Sequence, residues 1–185
     1  MARSQAPTVL RMRITLEEVA PPVWRRLLIP SGISLATLHD VFQVAMGWTD
    51  THLHGFTIGK QRYGMQFDDF PEGELDEDKF TVRAAIGKQR RFRYEYDFGD
   101  DWQHQVVVEE VITVPAELLF AVCLDGERAC PPEDCGGSYG YAELLRAISD
   151  PDHEEHAEYL EWVGKDFDPE GFELAATNVI LQKLL

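Results

Sequence analysis

The feature that most constrains this chain is an alternation of apolar and polar residues on both sides of a short turn near its middle. Because successive side chains of a β-strand point to opposite faces, each run predicts a strand with one buried face. Gly99, Asp100 and Asp101 are typical turn residues, so the runs predict an antiparallel hairpin. A three-residue turn would pair Phe98 with Trp102 and Tyr96 with His104, which keeps both apolar runs together. The apolar run is Phe92, Tyr94, Tyr96 and Phe98 before the turn, and Trp102, His104, Val106 and Val108 after it.

Strand patterns dominate the first 112 residues. Alternation over residues 10–16, 23–29, 52–58 and 61–65 predicts further strands, and the third of these places His52 and His54 on one face. A helix is predicted over residues 35–46, with Ser34 as its N-cap and Gly47 as its end. Residues 80–86 fit either a short strand or a helical turn. Residues 68–79 are acidic and lack periodicity, which predicts an exposed, mobile loop.

Helical patterns fill the last 50 residues. Ser138, the Asp150-Pro151 pair and the Asp168-Pro169 pair are each typical of a helix start. The predicted buried stripes are Tyr141, Leu144, Leu145 and Ile148; Ala157, Leu160 and Val163; and Phe172, Ala175, Ala176, Val179, Ile180 and Leu184. The sequence therefore predicts a single α+β domain over residues 1–185. Its antiparallel or mixed sheet comes from the N-terminal two-thirds, with one capping N-terminal helix and a C-terminal set of helices.

Charge is distributed unevenly along the chain. The formal net charge is −16, and acidic residues dominate after residue 94. Such a surface repels a phosphate backbone, so nonspecific nucleic-acid binding is disfavoured. Basic residues cluster elsewhere and form either a local cationic patch or ordinary solvated strand faces. They are Arg11, Arg13, Arg25, Arg26, Arg83, Lys88, Arg90, Arg91 and Arg93.

Targeting signals are not evident in the sequence. The first seven residues lack the apolar region of a secretory signal, and no window approaches the length of about 18 apolar residues that a membrane span needs. We therefore expect a cytoplasmic protein with no membrane partner. An odd number of cysteines in such a chain argues against a disulfide framework.

Two groups of residues could hold a metal ion. The first is Cys123, Cys130 and Cys135, which would bind zinc if a histidine supplied the fourth ligand. The alternative is three free thiols packed as small apolar groups. The second group is His52 and His54, with Asp97, Asp100 or His104 completing the site. The alternative is that both histidines pack at the edge of an aromatic core. A zinc ion is thus the one candidate cofactor.

Two loops concentrate acidic and aromatic residues beyond what a turn requires. Residues 96–102 hold three aspartates and a tryptophan, and residues 131–137 join two prolines, two acids and two glycines. Turn formation alone could explain the first loop, and the second could equally be a structural Ω-type loop whose acids cap the helix that starts at Ser138. If the two loops meet, they predict a binding surface. Its candidate residues are Trp48, His52, His54, Asp97, Asp100, Trp102, His104, Glu133 and Asp134.

Several long motifs connect the sequence to a known family. They are Pro21-Pro22-Val23-Trp24-Arg25-Arg26, Leu38-His39 with Gln43, Gly47-Trp48, His52-Leu53-His54-Gly55-Phe56, residues 94–104, residues 130–137 with Gly140-Tyr141, and Asp168-Pro169-Glu170 with Asn178. The chain resembles the plasmid pRiA4b ORF-3-like family. The resemblance implies a compact α+β domain found in bacteria and archaea, with some relatives on plasmids or insertion elements that carry a resolvase-like label. It implies no catalytic residues.

These observations favour an intracellular binding or regulatory module, associated with plasmids or mobile elements, whose partner is an unknown protein or small ligand. The alternative function is a metal-dependent hydrolase or nuclease that uses the histidines and aspartates above. DNA binding is a third hypothesis. The sequence lacks a serine-recombinase motif and a basic helix-turn-helix.

Overall fold

The computed structural model describes residues 6–66, 73–116, 118 and 120–184. Among these residues eight strands form one mixed sheet, in the order β5-β4-β3-β6-β7-β1-β2-β8, with only β4 and β5 parallel. The strands are β1 Thr8–Leu16, β2 Trp24–Pro30, β3 His54–Ile58, β4 Gln61–Gly64, β5 Leu75–Asp76, β6 Arg91–Tyr96, β7 Trp102–Thr113 and β8 Val122–Glu127. The helices are α1 Leu35–Met46, α2 Val82–Ile86, α3 Gly137–Ser149, α4 His156–Val163 and α5 Leu174–Leu181. The predicted α+β class is confirmed.

The core lies between one face of the sheet and α1. Alternate residues of β1 are buried while their neighbours stay partly exposed, as expected for a sheet with one solvated face. Helix α1 begins and ends where the sequence predicts. The Ser34 hydroxyl accepts a hydrogen bond from the Thr37 N–H, and Gly47 ends the helix in the left-handed region at φ 99°. Two polar residues of α1, His39 and Gln43, are buried with the apolar ones.

The central hairpin differs from the prediction in its register. Tyr96 pairs with Trp102 and Tyr94 with His104, two residues away from the expected alignment. The turn therefore spans five residues, and Phe98 at its tip is 46% exposed. The Asp97 carboxylate accepts a hydrogen bond from the Gly99 N–H and so builds the longer turn. Apart from Phe98, a shift of two residues leaves the side chains of the paired residues on their predicted faces, because the side-chain period of a strand is two.

Residues 73–79 of the acidic segment are ordered, contrary to the prediction of a mobile loop. Residues 68–72 lie outside the described residues. The remainder contains β5 and a short 3-10 helix, Glu77–Lys79, in which the Glu77 side chain is buried. The next segment, which fitted either strand or helix, forms α2 with Thr81 as its N-cap.

The C-terminal helices exist, and the predicted stripe of α3 is correct: Tyr141 and Leu144 are buried, and Leu145 and Ile148 pack against the core. The starts of the three helices and the buried faces of α4 and α5 were predicted wrongly. Helix α3 begins before Ser138, α4 follows a turn after Asp150-Pro151, and α5 begins at Leu174 instead of after Asp168-Pro169. No residue of α4 is buried, and Val179 and Ile180 of α5 are about half exposed. The Asp side chains at 150 and 168 instead accept hydrogen bonds from nearby backbone N–H groups and form isolated turns.

Arg25 does not belong to a solvated basic patch. Its side chain is buried, and its guanidinium donates hydrogen bonds to the backbone carbonyl oxygens of Trp24, Ala45, Glu127 and Arg128. The ring of Phe172 lies 3.8 Å from the guanidinium carbon. Burial lowers the pKa of Arg25. This residue joins β2, the end of α1 and the segment after β8.

None of the described helices is both long and apolar enough to cross a lipid bilayer.

Candidate functional site

Four polar side chains from three separate chain segments meet at one end of the sheet. His52 lies just before β3, Asp97 lies just after β6, and Glu133 and Asp134 lie in the loop between β8 and α3. Because β3 and β6 are antiparallel neighbours, the start of one lies beside the end of the other. This pairing brings His52 close to Asp97, and the 131–137 loop then covers both.

The imidazole of His52 is surrounded by carboxylates. Its Nε2 lies 3.2 Å from Asp134 Oδ1, 3.6 Å from Asp97 Oδ2 and 3.9 Å from Glu133 Oε2. The Nε2 atom is buried and makes no hydrogen bond within the described residues, although the side chain as a whole is 26% exposed. Asp97 is nearly buried, whereas Asp134 is 74% exposed. We call these four residues the His52 cluster.

Glu133 is held in place by neighbouring hydroxyl and N–H groups. Its Oε1 accepts hydrogen bonds from the Thr49 N–H at 2.9 Å and from the Tyr96 hydroxyl at 3.1 Å. The same Tyr96 oxygen accepts a hydrogen bond from the Thr51 N–H. The Trp48 indole N–H donates to the Pro131 carbonyl oxygen at 3.0 Å. The 131–137 loop is therefore attached to the segment after α1. The second oxygen of Glu133 lies 3.2 Å from the Tyr96 hydroxyl and 3.9 Å from His52 Nε2.

The two acidic loops also contact each other directly. Asp100 Oδ2 accepts a hydrogen bond from the Gly136 N–H at 3.0 Å. Gly137 has φ 68°, and a Cβ at this position would lie 2.7 Å from the Asp100 carbonyl oxygen. Only glycine combines that backbone conformation with so close an approach. The sequence prediction that the two loops meet agrees with this geometry.

The His52 cluster can attract and hold a cation. Three carboxylates surround one imidazole, so their like charges repel each other unless a positive group enters. The ligating atoms of His52, Asp97 and Asp134 all lie within 4.8 Å of one another. Imidazole nitrogen with carboxylate oxygen is a donor set that suits zinc or manganese.

His54 lies outside this cluster, although it is only two residues away. Its ring stacks on that of His39, with centroids 3.4 Å apart and planes 7° apart. His54 Nε2 is 2.9 Å from Glu77, and His39 Nε2 is 2.8 Å from Asp50. The ligating atoms of His39, Asp50 and His54 also come within 4.8 Å, but both ring nitrogens of His39 already have hydrogen-bond partners, the Tyr94 hydroxyl and the Asp50 carboxylate. Burial and the neighbouring His54 lower the pKa of His39 to about 4.

Three other predicted site residues belong to the core beneath the cluster. Trp102 and His104 are almost fully buried, and Trp48 is 6% exposed. The Trp48 ring lies 5.2 Å from His104 and 4.8 Å from Tyr96. Burial lowers the pKa of His104 to about 3, so this imidazole is neutral at ordinary pH. These rings support the site from below instead of lining it.

The cysteines do not form a shared ligand group in the described part of the chain. The three groups there whose metal-ligating atoms come within 4.8 Å of one another contain only histidine, aspartate and glutamate. Burial raises the pKa of Cys123 and Cys130, and raises that of Cys135 to about 12. A thiol with a raised pKa is a poor source of the thiolate that zinc binds.

The sequence analysis missed Tyr96 and Thr49, the residues that hold Glu133. A tyrosine on the buried face of a strand must find a partner for its hydroxyl, and this signal could have singled out Tyr96. It also missed the buried pairs of His39 with Asp50 and of His54 with Glu77. Nothing in residues 73–79 indicated that an acidic stretch contains a buried carboxylate.

Comparisons with known proteins agree with these motifs. The family described as plasmid pRiA4b ORF-3-like protein matches residues 8–176. The uncharacterized protein y4hQ of Sinorhizobium fredii is 38% identical over 181 residues, which cover 96% of this chain and 92% of that protein. The crystal structure of MM3350, a protein of unknown function from Methanosarcina mazei Go1, is similar with a TM-score of 0.85. It is 31% identical, and the match covers 93% of this chain and 98% of that one. The chain therefore belongs to the plasmid pRiA4b ORF-3-like protein family, whose relatives named here are uncharacterised.

Proposed function

We propose that this protein is a binding module for a divalent transition-metal ion, held by His52, Asp97 and Asp134 with Glu133 at the edge of the site. One observation carries the proposal: the buried Nε2 of His52 has three carboxylates within 4 Å and no hydrogen-bond partner among the described residues. A buried polar atom without a partner costs free energy, and a bound cation would remove that cost.

The rigidity of the surroundings supports the same function. Asp97 is fixed by its turn, and Glu133 is fixed by Thr49 and Tyr96. Asp134, in contrast, is exposed and can close on an ion that has entered. Ligands that are held in place by their own hydrogen bonds to neighbouring groups are typical of sites that bind metal tightly.

A second candidate function is metal-dependent hydrolysis. Three ligands leave coordination positions open for water, and Glu133 Oε2 lies 3.9 Å from the ligating nitrogen, where a carboxylate could accept a proton. Hydrolysis of p-nitrophenyl phosphate and nicking of a supercoiled plasmid, both measured with added Mn²⁺, test this candidate. Turnover that disappears in Glu133→Gln while metal binding persists would support it.

The metal proposal is tested by titrating Zn²⁺ and Mn²⁺ into tag-free, EDTA-stripped protein in a calorimeter. We expect one ion per chain, and affinity lowered by about 10- to 100-fold in His52→Ala and Asp97→Asn. Asparagine at 97 keeps the oxygen that the turn requires, so this variant should fold.

A matched control is His153→Ala, because His153 lies in another histidine–acid group with Glu143 and Glu155. This variant should bind the ion as the unaltered protein does. Loss of binding in His153→Ala and not in His52→Ala, or no bound ion in either metal titration, would refute the proposal.

A further inference from the structure

A cleft lies at the end of β6 opposite to the His52 cluster. It has a volume of about 320 Å³ and lies between the start of β1, the turn after α2 and the middle of β7. Strand β6 begins at Arg91, beside this cleft, and ends at Tyr96, beside the His52 cluster. With a rise of about 3.3 Å per residue, the two sites are separated by nearly 20 Å of strand. We call it the basic cleft.

Among the described residues, the basic cleft is lined by cations and by no acid. Its charged lining residues are Arg83, Lys88 and Arg90. They belong to a segment, residues 81–93, that holds five basic residues and no acidic residue in a chain of net charge −16. This local concentration of positive charge creates a positive electrostatic potential in the cleft. That potential attracts a small anion although the protein as a whole is acidic.

Three other arginines of the basic segments form ion pairs with acidic residues. Arg11 and Arg26 both contact Glu109, at 3.2 and 2.9 Å, and Arg93 lies 4.0 Å from Glu17. Lys88 and Arg90, in contrast, form no ion pair with any described residue. Both side chains are exposed, so their charges are available to a ligand.

The backbone holds the two free cations at the mouth of the cleft. Gly87 ends α2 at φ 56°, and the Gln89 N–H then donates to the Ile86 carbonyl oxygen. The Arg90 carbonyl oxygen accepts a hydrogen bond from the Val108 N–H, which attaches the turn to β7. Backbone hydrogen bonds at both ends of this tight turn therefore fix the positions of Lys88 and Arg90 in the chain.

The remaining wall of the cleft is apolar. Leu10, Ile86 and Val108 are nearly buried and form its floor, and Val111 at its rim is 49% exposed. A floor of this kind suits the flat or aliphatic part of a ligand, whereas the cations suit its charged part. The volume falls at the lower end of the range of about 300 to 1,000 Å³ for small-molecule sites.

We propose that the basic cleft binds a small organic phosphate of mononucleotide size. Lys88 and Arg90 contact the phosphate groups, and the Leu10, Ile86 and Val108 floor packs against the organic part. A nucleic-acid chain fits less well, because a protein with a net charge of −16 repels the many phosphates that would extend beyond the cleft.

The test uses ATP as the probe, titrated into the full chain at low salt in the presence of EDTA. EDTA keeps metal from the His52 cluster, so the result does not depend on the proposed metal function. We expect saturable 1:1 binding that weakens by about tenfold or more when Lys88 and Arg90 are both changed to alanine. Lys165→Ala, which removes one exposed positive charge elsewhere, should leave the affinity unchanged, and adenosine should bind far more weakly than ATP.

Three results would overturn the proposal. The first is no saturable ATP binding. The second is an equal loss of affinity in Lys165→Ala, which would indicate a nonspecific charge effect. The third is much tighter binding of a single strand of about 20 nucleotides than of ATP, which would make the surface a nucleic-acid interface. His52→Ala should bind ATP with unchanged affinity. The ATP titration therefore tests the basic cleft independently of the proposed metal site.

Discussion

Mild acid should destabilise this protein through the buried imidazole of His104. The ring is fully buried, its Nδ1 lies 3.2 Å from the Tyr94 carbonyl oxygen, and its Nε2 has no partner among the described residues. The folded state therefore keeps the ring neutral, with a pKa of about 3 caused mainly by burial. In the unfolded chain a histidine takes up a proton below a pH of about 6.5. Because the unfolded state binds more protons between these two values, stability is full above pH 6.5 and falls as the pH is lowered towards 3.

The magnitude follows from the two pKa values. At pH 5 the unfolded imidazole is almost fully protonated and the folded one is almost fully neutral, so His104 should lower the free energy of unfolding by about 2 kcal/mol relative to pH 8. His39, with its pKa of about 4, should add a similar loss. Together they predict a clear drop in the urea midpoint between pH 8 and pH 5.

The assay is urea denaturation of the unaltered protein and of His104→Asn at pH 8 and pH 5. Asparagine can donate to the Tyr94 carbonyl oxygen in place of Nδ1, and any packing defect lowers stability equally at both pH values. The difference between the two pH values should therefore shrink by about 2 kcal/mol in this variant. His153→Gln, which keeps His104 in place, should show the full difference. An unchanged pH difference in His104→Asn would refute the reasoning.

Three further substitutions test other parts of the structure. Arg25→Lys keeps the charge, but the three donors of an ammonium group cannot reproduce the hydrogen bonds to four carbonyl oxygens. Urea denaturation should therefore show a loss of roughly 3 kcal/mol, and a loss below about 1 kcal/mol would contradict this. The Asn178 side chain both donates a hydrogen bond to the backbone of Cys123 and accepts one from it, on the edge strand β8. Asn178→Ala should therefore lower the free energy of unfolding by about 2 kcal/mol in the same assay. An unchanged urea midpoint would contradict that role. Tyr96→Phe removes the hydroxyl that holds Glu133, and it should weaken Zn²⁺ binding by about tenfold in calorimetry while costing about 1 kcal/mol of stability. Unchanged Zn²⁺ affinity in Tyr96→Phe would mean that Glu133 is not part of the site.

Sequence patterns predicted helices and strands correctly where the residues that determine burial and hydrogen bonding are close neighbours along the chain. The helix from Leu35 to Met46 was predicted together with both of its caps, because Ser34 and Gly47 act on the backbone next to them. The hairpin faces were predicted for the same reason, since the period of two holds in any register that buries the aromatic residues.

Sequence patterns gave wrong predictions where the same pattern is compatible with two different local structures. Asp-Pro at 150 and 168 is typical of a helix start, yet each pair forms an isolated turn several residues before a helix. The apolar residues Val179 and Ile180 fitted a buried stripe, but α5 places Thr177 and Leu181 against the protein instead. Helix rotation is decided by what the rest of the fold offers to pack against.

The His52 cluster could be predicted only in part. The acidic turn and the 131–137 loop were both recognised as candidate binding residues, because each carries more acid and aromatic side chains than a turn needs. Which histidine faces them was not predictable, since His52 and His54 were expected to share one strand face. The strand instead begins at His54, which leaves His52 free to turn towards Asp97 and Asp134.

The sequence by itself determined the family, the α+β class, the aromatic face of the hairpin and the loops that carry the acids, because these depend on residue type and on spacing along the chain. Only the tertiary structure decided that Arg25 is buried, that His54 pairs with Glu77, and that Lys88 and Arg90 face a cleft without acids. These outcomes depend on which segments lie side by side in the sheet. A polar side chain is buried, paired or free according to the partners that distant parts of the chain bring to it, and spacing along the sequence does not encode those partners.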